Sequence, residues 1–124
     1  MLKLIASDMD GTLLNDQKEI YPHMAAVVQA LYEKGIRFVV ASGRQLESLT
    51  CYFSSVAAPM TYIAENGGLA YEDNRCVYAR SLDPKDVKQI TTLMRSLPGA
   101  YVIYGTAGGS FVEGAHTQDD WDYL

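Results

Sequence analysis

Apolar and polar positions follow a regular order over the first forty residues. Residues 3–7 form a short apolar run that stops at Asp8, which predicts a strand followed by a loop. Residues 21–35 carry an apolar stripe at helical spacing, and Gly35 suits a left-handed helix cap. Residues 36–41 are continuously apolar and rich in β-branched residues, as expected of a strand buried on both faces.

This order predicts a βαβ unit, in which two parallel strands end at the same edge of a sheet. The chain then favours a helix over residues 44–56 and a strand at 61–65. A hairpin over residues 69–79 follows, with its turn at Asp73 and Asn74. The first 80 residues therefore belong to an α/β fold with three parallel strands.

The pattern changes near residue 80. Asp83 is suited to cap a helix over residues 83–97, and two strand-like runs follow at 100–105 and 110–114. The apolar residues of this helix fall on one face: Val87, Ile90, Leu93, Met94 and Leu97. A helix followed by a hairpin is typical of an α+β subdomain, which we place over residues 81–124.

Composition narrows the function classes. The chain has 124 residues, 48% of them hydrophobic, and a formal charge of -5, so it can bury a core but offers no basic surface to nucleic acid or anionic membranes. Asp8 interrupts the apolar N-terminus too early for a secretory signal, which predicts a cytoplasmic protein. Cys51 and Cys76 lack metal-site spacing and are expected to be reduced, packed thiols.

Two carboxylates, Asp8 and Asp10, stand at the end of the first strand, and Ser42 and Gly43 follow the second. Ligands bind at this edge of open parallel sheets. Carboxylates so close repel each other unless a cation compensates, and oxygen donors without His or Cys favour Mg²⁺. Ser42, Gly43 and the amides of the next helix would seat a phosphate, so the pattern indicates phosphoryl transfer. Arg44 is interpreted as a solvated or structural cation that this helix carries away.

The segments "DMDGTLL", "VVASGR" and "IAENGG", in that order, resemble the haloacid dehalogenase superfamily of phosphatases, specifically the Cof-like group with a large α/β cap. The resemblance runs from Leu2 to about Ala79. It implies a Rossmann-like three-layer core with a parallel sheet, of which residues 1–80 are an incomplete portion and residues 81–124 the beginning of the cap.

The resemblance also implies residue roles. Asp8 would be the nucleophile and hold Mg²⁺ by its side chain, and Asp10 would be the general acid and base and hold Mg²⁺ by its backbone carbonyl. The phosphate would be bound by Met9, Gly11, Ser42 and Gly43. Asn66 matches a pocket-lining position. The substrate would be a small phosphorylated metabolite such as a sugar phosphate, chosen by the cap.

Two family elements have no match, a charge-neutralising Lys and a second acidic metal motif. Lys85 and Lys88 lie on the predicted cap helix, and the late acidic residues lack the strand and glycine context: Asp119, Asp120 and Asp122. The chain reads as the front portion of a longer enzyme. Because losing one charge-stabilising donor costs roughly 3 kcal/mol, we expect weak or no turnover from it alone.

Other functions compete with this one. "DMDG" also fits part of a calcium loop, but Ala6 and Gln17 stand where that loop needs ligands. A non-catalytic domain, which binds a phosphorylated ligand or pairs with another chain through an unfinished sheet edge, is the main alternative. His23 and His116 are expected at the surface.

Overall fold

A computed structural model describes residues 1–113. The chain divides into two compact units, Met1–Arg80 and a second that begins at Ser81. The elements of the first unit are β1 (Leu4–Asp8), α1 (Met24–Glu33), β2 (Arg37–Ala41), α2 (Leu46–Tyr52), β3 (Thr61–Ala64), β4 (Leu69–Glu72) and β5 (Arg75–Ala79). Those of the second are α3 (Pro84–Arg95), β6 (Val102–Thr106) and β7 (Gly109–Glu113).

The first unit is built on a five-stranded sheet with the order β1-β2-β3-β4-β5. Strands β1, β2 and β3 are parallel, as predicted. Strands β4 and β5 continue the same sheet in antiparallel order, so the described sheet is mixed rather than wholly parallel. The hairpin turn is also as predicted, since Asp73 and Asn74 have φ values of 49° and 64°.

The hydrophobic core lies within this first unit. Phe38, Val39 and Val40 are buried in succession, which confirms that β2 is covered on both faces. Val28 of α1 and Leu49 of α2 pack into the same core. Gly35 follows α1 with φ 69°, as its predicted capping position requires.

Helix α2 is shorter than predicted at both ends. Its first predicted residues belong to a loop, because the Arg44 amide donates to Ser42 Oγ at 3.2 Å and the Arg44 carbonyl accepts from Glu65 N at 3.0 Å. Gln45 is extended, and the helix begins only at Leu46. Its amides therefore do not directly follow the Ser-Gly pair, contrary to expectation.

Both cysteines were predicted to be reduced and packed, and the packing is wrong. Cys51 and Cys76 are free, but both are exposed. Cys51 lies near the end of α2, and Cys76 lies on β5, an edge strand whose residues are all exposed.

In the second unit, Asp83 caps α3 as predicted, with its Oδ1 accepting from Lys85 N at 2.8 Å. The apolar face is only partly buried, because Ile90, Leu93 and Leu97 are exposed. Thr91 is buried instead, and its hydroxyl lies 2.9 Å from that of Tyr104 on β6. The late acidic residues and His116 lie outside the described residues. Within residues 1–113, no helix has the length and apolar character needed to cross a membrane.

Candidate active site

Three loops leave the sheet at one edge, where the parallel strands end. Asp8 pairs with Ala41 in register, and Ala41 pairs with Ile63, so the ends of β1, β2 and β3 are aligned. The loops at 9–13, 42–45 and 65–67 therefore start side by side. We call this end of the sheet, with the three loops that leave it, the rim. The predicted acidic pair and the Ser-Gly pair therefore lie on the same rim, as the sequence argument requires.

The first loop is a π-helical turn over Met9–Leu13. The Leu14 amide closes it by donating to the Met9 carbonyl at 3.0 Å, and Gly11 has φ 75°. Met9 and Leu13 are buried and anchor the turn in the core, whereas Asp8 and Asp10 are exposed. The turn thus separates an apolar inner side from an acidic outer side.

Asp10 is held by two cations. Arg44 donates to both carboxylate oxygens, from Nε to Oδ2 and from Nη2 to Oδ1, each at 2.8 Å, and Lys18 Nζ lies 3.1 Å from Oδ1. The hydrogen bonds from Arg44, and then that from Lys18, hold the pKa of Asp10 well below its usual range. Asp10 is therefore ionised at any physiological pH.

Arg44 was interpreted from sequence as a solvated or structural cation that the helix carries away from the site; its structural role agrees with the ion pair to Asp10, but its placement away from the site is wrong. Because α2 begins only at Leu46, Arg44 stays in the loop, and its side chain reaches Asp10. Its guanidinium carbon also lies 5.5 Å from the ring centre of Tyr52, and Nη1 lies 3.5 Å from Ser48 Oγ. These contacts fix the direction of the guanidinium.

Lys18 was missed by the sequence analysis. It lies at φ 61° in a tight loop in which Asn15 Oδ1 accepts from the amides of Gln17 at 3.0 Å and Glu19 at 2.8 Å. An Asn in this role is a recognisable turn signal. It would have predicted the turn, but not that the Lys18 side chain returns to Asp10 across eight residues.

Asp8 differs sharply from Asp10. It is exposed, and the Ser7 hydroxyl bonds to its backbone carbonyl at 3.2 Å rather than to its carboxylate. Within residues 1–113 the Asp8 carboxylate has no hydrogen bond or ion pair. Of the two acidic side chains, Asp8 is thus the one whose oxygens are available to an incoming ligand.

The second loop brings Ser42 and Gly43 to the same rim. Ser42 Oγ accepts from Arg44 N at 3.2 Å, which leaves its O–H to donate. Since α2 begins at Leu46 with Gln45 as its N-cap residue, Ser42 does not cap that helix. A Cβ on Gly43 would lie 2.7 Å from Asn66 Oδ1, so glycine allows the Asn66 side chain to approach this loop closely.

The third loop is bent into an uncommon backbone conformation. Glu65 and Asn66 have φ values of 52° and 53°, in the left-handed region. The loop is tied to the second one, because Asn66 N donates to the Ser42 carbonyl at 3.3 Å and Glu65 N to the Arg44 carbonyl at 3.0 Å. Such strain concentrates at functional sites, where the surroundings enforce it.

The oxygen atoms at this rim are ligands of the type that a hard divalent ion prefers. The Asp8 carboxylate and the Asp10 backbone carbonyl are oxygen ligands of the type that Mg²⁺ takes in small number. The Asp10 side-chain oxygens are occupied by Arg44 and Lys18, so of this residue only the backbone carbonyl could serve as a metal ligand. In the described part of the chain, no group of three His, Cys, Asp or Glu side chains could hold a metal.

Comparison with known proteins decides the family. A model of haloacid dehalogenase-like hydrolases matches residues 5–123. The chain belongs to this family. Membership confirms the resemblance seen in the three sequence segments and the α/β fold class. Membership in a hydrolase family also argues against the calcium-loop interpretation of the segment after β1.

Curated relatives of this haloacid dehalogenase-like chain include phosphatases. The 5-amino-6-(5-phospho-D-ribitylamino)uracil phosphatase YbjI of Escherichia coli is 36% identical over 103 residues, covering 82% of this chain and 38% of the relative. A second 5-amino-6-(5-phospho-D-ribitylamino)uracil phosphatase, YcsE of Bacillus subtilis, is 33% identical over 81 residues, covering 65% of this chain and 32% of that protein. The chain thus spans about a third of the length of these relatives.

Solved structures agree with the fold. TM0651 from Thermotoga maritima superposes with a TM-score of 0.81 at 25% identity, over 99% of this chain and 46% of that one. A haloacid dehalogenase-like hydrolase from B. subtilis gives a TM-score of 0.70 at 26% identity, over 83% of this chain and 36% of that one.

Proposed function

We propose that these residues form the nucleophile-bearing portion of a Mg²⁺-dependent phosphatase that acts on small phosphorylated metabolites. The observation that carries the proposal is the contrast at one rim: Asp8 presents a carboxylate with no partner in the described chain, beside a Ser-Gly loop able to hold a phosphate. Family membership supports the reaction type.

In this reaction an Asp8 oxygen attacks phosphorus. The new Asp8 O–P bond forms as the ester O–P bond breaks, and the leaving alkoxide takes up a proton. Water then attacks phosphorus, breaks the Asp8 O–P bond and releases inorganic phosphate. The Ser42 O–H and the amides of Met9, Gly11 and Gly43 would donate hydrogen bonds to the phosphate oxygens.

Asp10 is assigned the proton transfers. Paired with Arg44 and Lys18 it is a carboxylate, which suits it to accept a proton from the attacking water. Protonating the leaving oxygen requires that Asp10 first carry a proton, which both cations oppose. A bound phosphate offers Arg44 and Lys18 another anion, so substrate binding would loosen the pair and prepare Asp10 for the acid role.

Mg²⁺, held by the Asp8 carboxylate and the Asp10 carbonyl, would offset the negative charge gathered between Asp8 and the phosphate. The substrate class agrees with the relatives YbjI and YcsE, whose names give a small phosphorylated molecule as substrate. A cytoplasmic location, and weak or no turnover by the chain alone, stay predictions.

Trapping the covalent intermediate tests the proposal. The chain is incubated with acetyl phosphate and Mg²⁺, reduced with borohydride, and digested for mass spectrometry. We expect modification at Asp8, dependent on Mg²⁺ and lost in Asp8→Asn, while Asp16→Asn, an exposed acid in a nearby loop, behaves as wild type. Modification at another residue, or equal modification in Asp8→Asn, would contradict the assignment of the nucleophile.

One observation favours the non-catalytic alternative of chain pairing. β1 forms an edge of the described sheet, and Leu2 and Leu4 beside it are 59% and 49% exposed. If this edge pairs with a second copy, sedimentation should show a dimer that Leu4→Lys disrupts. A monomer at all concentrations would exclude that alternative.

A further inference from the structure

The two cations that bind Asp10 differ in how firmly they are held, and Arg44 is the firmer one. Its amide donates to Ser42 Oγ at 3.2 Å, and its carbonyl accepts from Glu65 N at 3.0 Å. Its guanidinium binds both Asp10 oxygens and lies 5.5 Å from the ring centre of Tyr52. Only 28% of the Arg44 side chain is exposed. Arg44 could turn to another anion only by breaking two hydrogen bonds to Asp10 and leaving the ring.

The Lys18 side chain is held by a single contact. Its Nζ lies 3.1 Å from Asp10 Oδ1, an oxygen that also accepts from Arg44 Nη2 at 2.8 Å. Within residues 1–113 the Lys18 side chain makes no other hydrogen bond or ion pair, and it is 61% exposed. Exposed ion pairs of this kind contribute little free energy. Lys18 can therefore leave Asp10 at small cost, and Asp10 keeps Arg44 when it does.

The backbone of Lys18, in contrast, is fixed beside the rim. Leu14 and Ile20 pair across the base of its loop, and Lys18 N donates to the Asn15 carbonyl at 3.0 Å. Lys18 has φ 61°, in the left-handed region that glycine, asparagine and aspartate adopt more readily than lysine. Residues kept in such conformations cluster at functional sites. The loop thus holds the root of a flexible cationic side chain next to Asp10.

The charges at the rim need such a side chain when a phosphate arrives. In the structure, Arg44 and Lys18 both bind Asp10, and the Asp8 carboxylate has no partner in the described chain. A phosphate at Asp8 adds further negative charge. A lysine ammonium suits it, because it is a compact charge with three donors on a flexible stem.

We propose that Lys18 is a phosphate-binding residue, which leaves Asp10 Oδ1 for the substrate phosphate while Arg44 stays on Asp10. This inference rests on the proposed function, and it selects which of the two cations moves. The transfer frees Asp10 Oδ1 of one of its two donors. Arg44 keeps the orientation of the Asp10 carboxylate during the transfer, so Arg44 acts as a positioning residue and Lys18 as a ligand of the phosphate.

An NMR titration of the full chain with inorganic phosphate, in the presence of Mg²⁺, tests the inference. The amides of residues 9–11 and 42–44 report the affinity. Lys18→Gln should weaken phosphate binding about three- to fivefold, the effect of one exposed ion pair, and Lys18→Arg should restore most of it. Lys34→Gln is the matched control, because Lys34 is an exposed lysine that follows α1. It should bind phosphate like wild type.

Two further readouts separate ligand binding from a structural role. Because glycine readily adopts φ 61°, Lys18→Gly should keep the free energy of unfolding close to that of wild type but bind phosphate as weakly as Lys18→Gln. In wild type, the Arg44 Nε–H signal, protected from exchange by its bond to Asp10, should persist at saturating phosphate.

The outcomes also separate this inference from the proposed function. Equal phosphate affinity in wild type and Lys18→Gln, an equal loss in Lys34→Gln, or disappearance of the Arg44 Nε–H signal on saturation would overturn the role of Lys18 and leave the phosphate site in place. No saturable phosphate binding to wild type would overturn both.

Discussion

The two ends of the parallel strands share one sheet but differ in chemistry. At the carboxyl end, Arg44 and Lys18 bind Asp10 beside the unpartnered Asp8 carboxylate, and the second and third loops are linked by the bonds from residues 65 and 66. At the amino end, a cleft of about 420 Å³ is lined by both apolar and polar residues, among them Ala58 and Asp73. The comparison indicates that ion pairs and hydrogen bonds between loops organise the carboxyl end, whereas side-chain packing organises the wall of the cleft at the amino end.

The difference has a physical basis in how each end is stabilised. At the carboxyl end, cations fix Asp10 but leave Asp8 accessible, so charge and hydrogen bonds determine what binds. At the amino end, Phe53 and Met60 are buried in the core beneath the cleft and stabilise its wall. Variants at the carboxyl end should therefore alter phosphate binding and proton transfer without affecting the cleft.

Removing Arg44 should produce the largest change at the charged end. In Arg44→Gln the pKa of Asp10 should rise toward its ordinary value, because both hydrogen bonds from the guanidinium are lost. Titration of Asp10 by NMR measures this directly. Arg44→Lys should give an intermediate value, since lysine cannot donate to both oxygens in a fixed fork. An unchanged Asp10 titration in Arg44→Gln would show that this pair does not form in solution.

The same pair predicts a pH dependence. Because the pKa of Asp10 is lower in the folded than in the unfolded chain, the ion pair stabilises the fold at pH values above the unfolded-state pKa of about 4. This stabilisation is lost as the pH falls through the folded-state pKa. Wild type and Arg44→Gln should therefore differ most in stability at neutral pH and converge in acid. The difference should be small, because the Asp10 side chain is 42% exposed. Chemical unfolding at several pH values checks this, and a gap that widens in acid would contradict it.

Gly43→Ala should have the next largest effect. Its methyl would lie 2.7 Å from Asn66 Oδ1, so the Asn66 side chain must shift, at a cost of about 1 kcal/mol and with weaker phosphate binding. In an Asn66→Gly background the same change should cost nothing further, since the clashing atom is gone. Gly108→Ala is the matched control, with its nearest neighbour at 3.9 Å. Additive effects of the two changes would contradict the contact.

Lys18→Gln should act in the same direction as Arg44→Gln but more weakly. Lys18 makes one contact with Asp10, at 3.1 Å, and its side chain is 61% exposed, so solvent screens it. The pKa of Asp10 should rise less than in Arg44→Gln by the same NMR titration. An equal or larger rise would make Lys18 the main partner of Asp10.

Most strands and helices of the first unit, and the parallel direction of β1–β3, were predictable from sequence because periodicity and burial act locally. The run at 36–41 and the turn at Asp73 and Asn74 each have one favourable conformation. That the hairpin extends the same sheet was not predictable, since pairing between β3 and β4 depends on tertiary packing.

In the candidate site, the alignment of Asp8 with the Ser-Gly loop followed from strand direction alone. The position of Arg44 did not, because it depends on where α2 begins, and that start is set by hydrogen bonds to Ser42 and Glu65. The role of Lys18 was not predictable from sequence either, since its contact with Asp10 arises from the folded loop and not from sequence spacing.

Phosphate binding mapped residue by residue tests the central claim most directly. In an NMR titration with inorganic phosphate and Mg²⁺, the amides of residues 9–11 and 42–44 should shift together and saturate, while those of residues 56–60 and 73–74 at the opposite end stay unchanged. Shifts confined to the amino end, or no saturable shift at the carboxyl end, would contradict the assignment of that rim as the phosphate site.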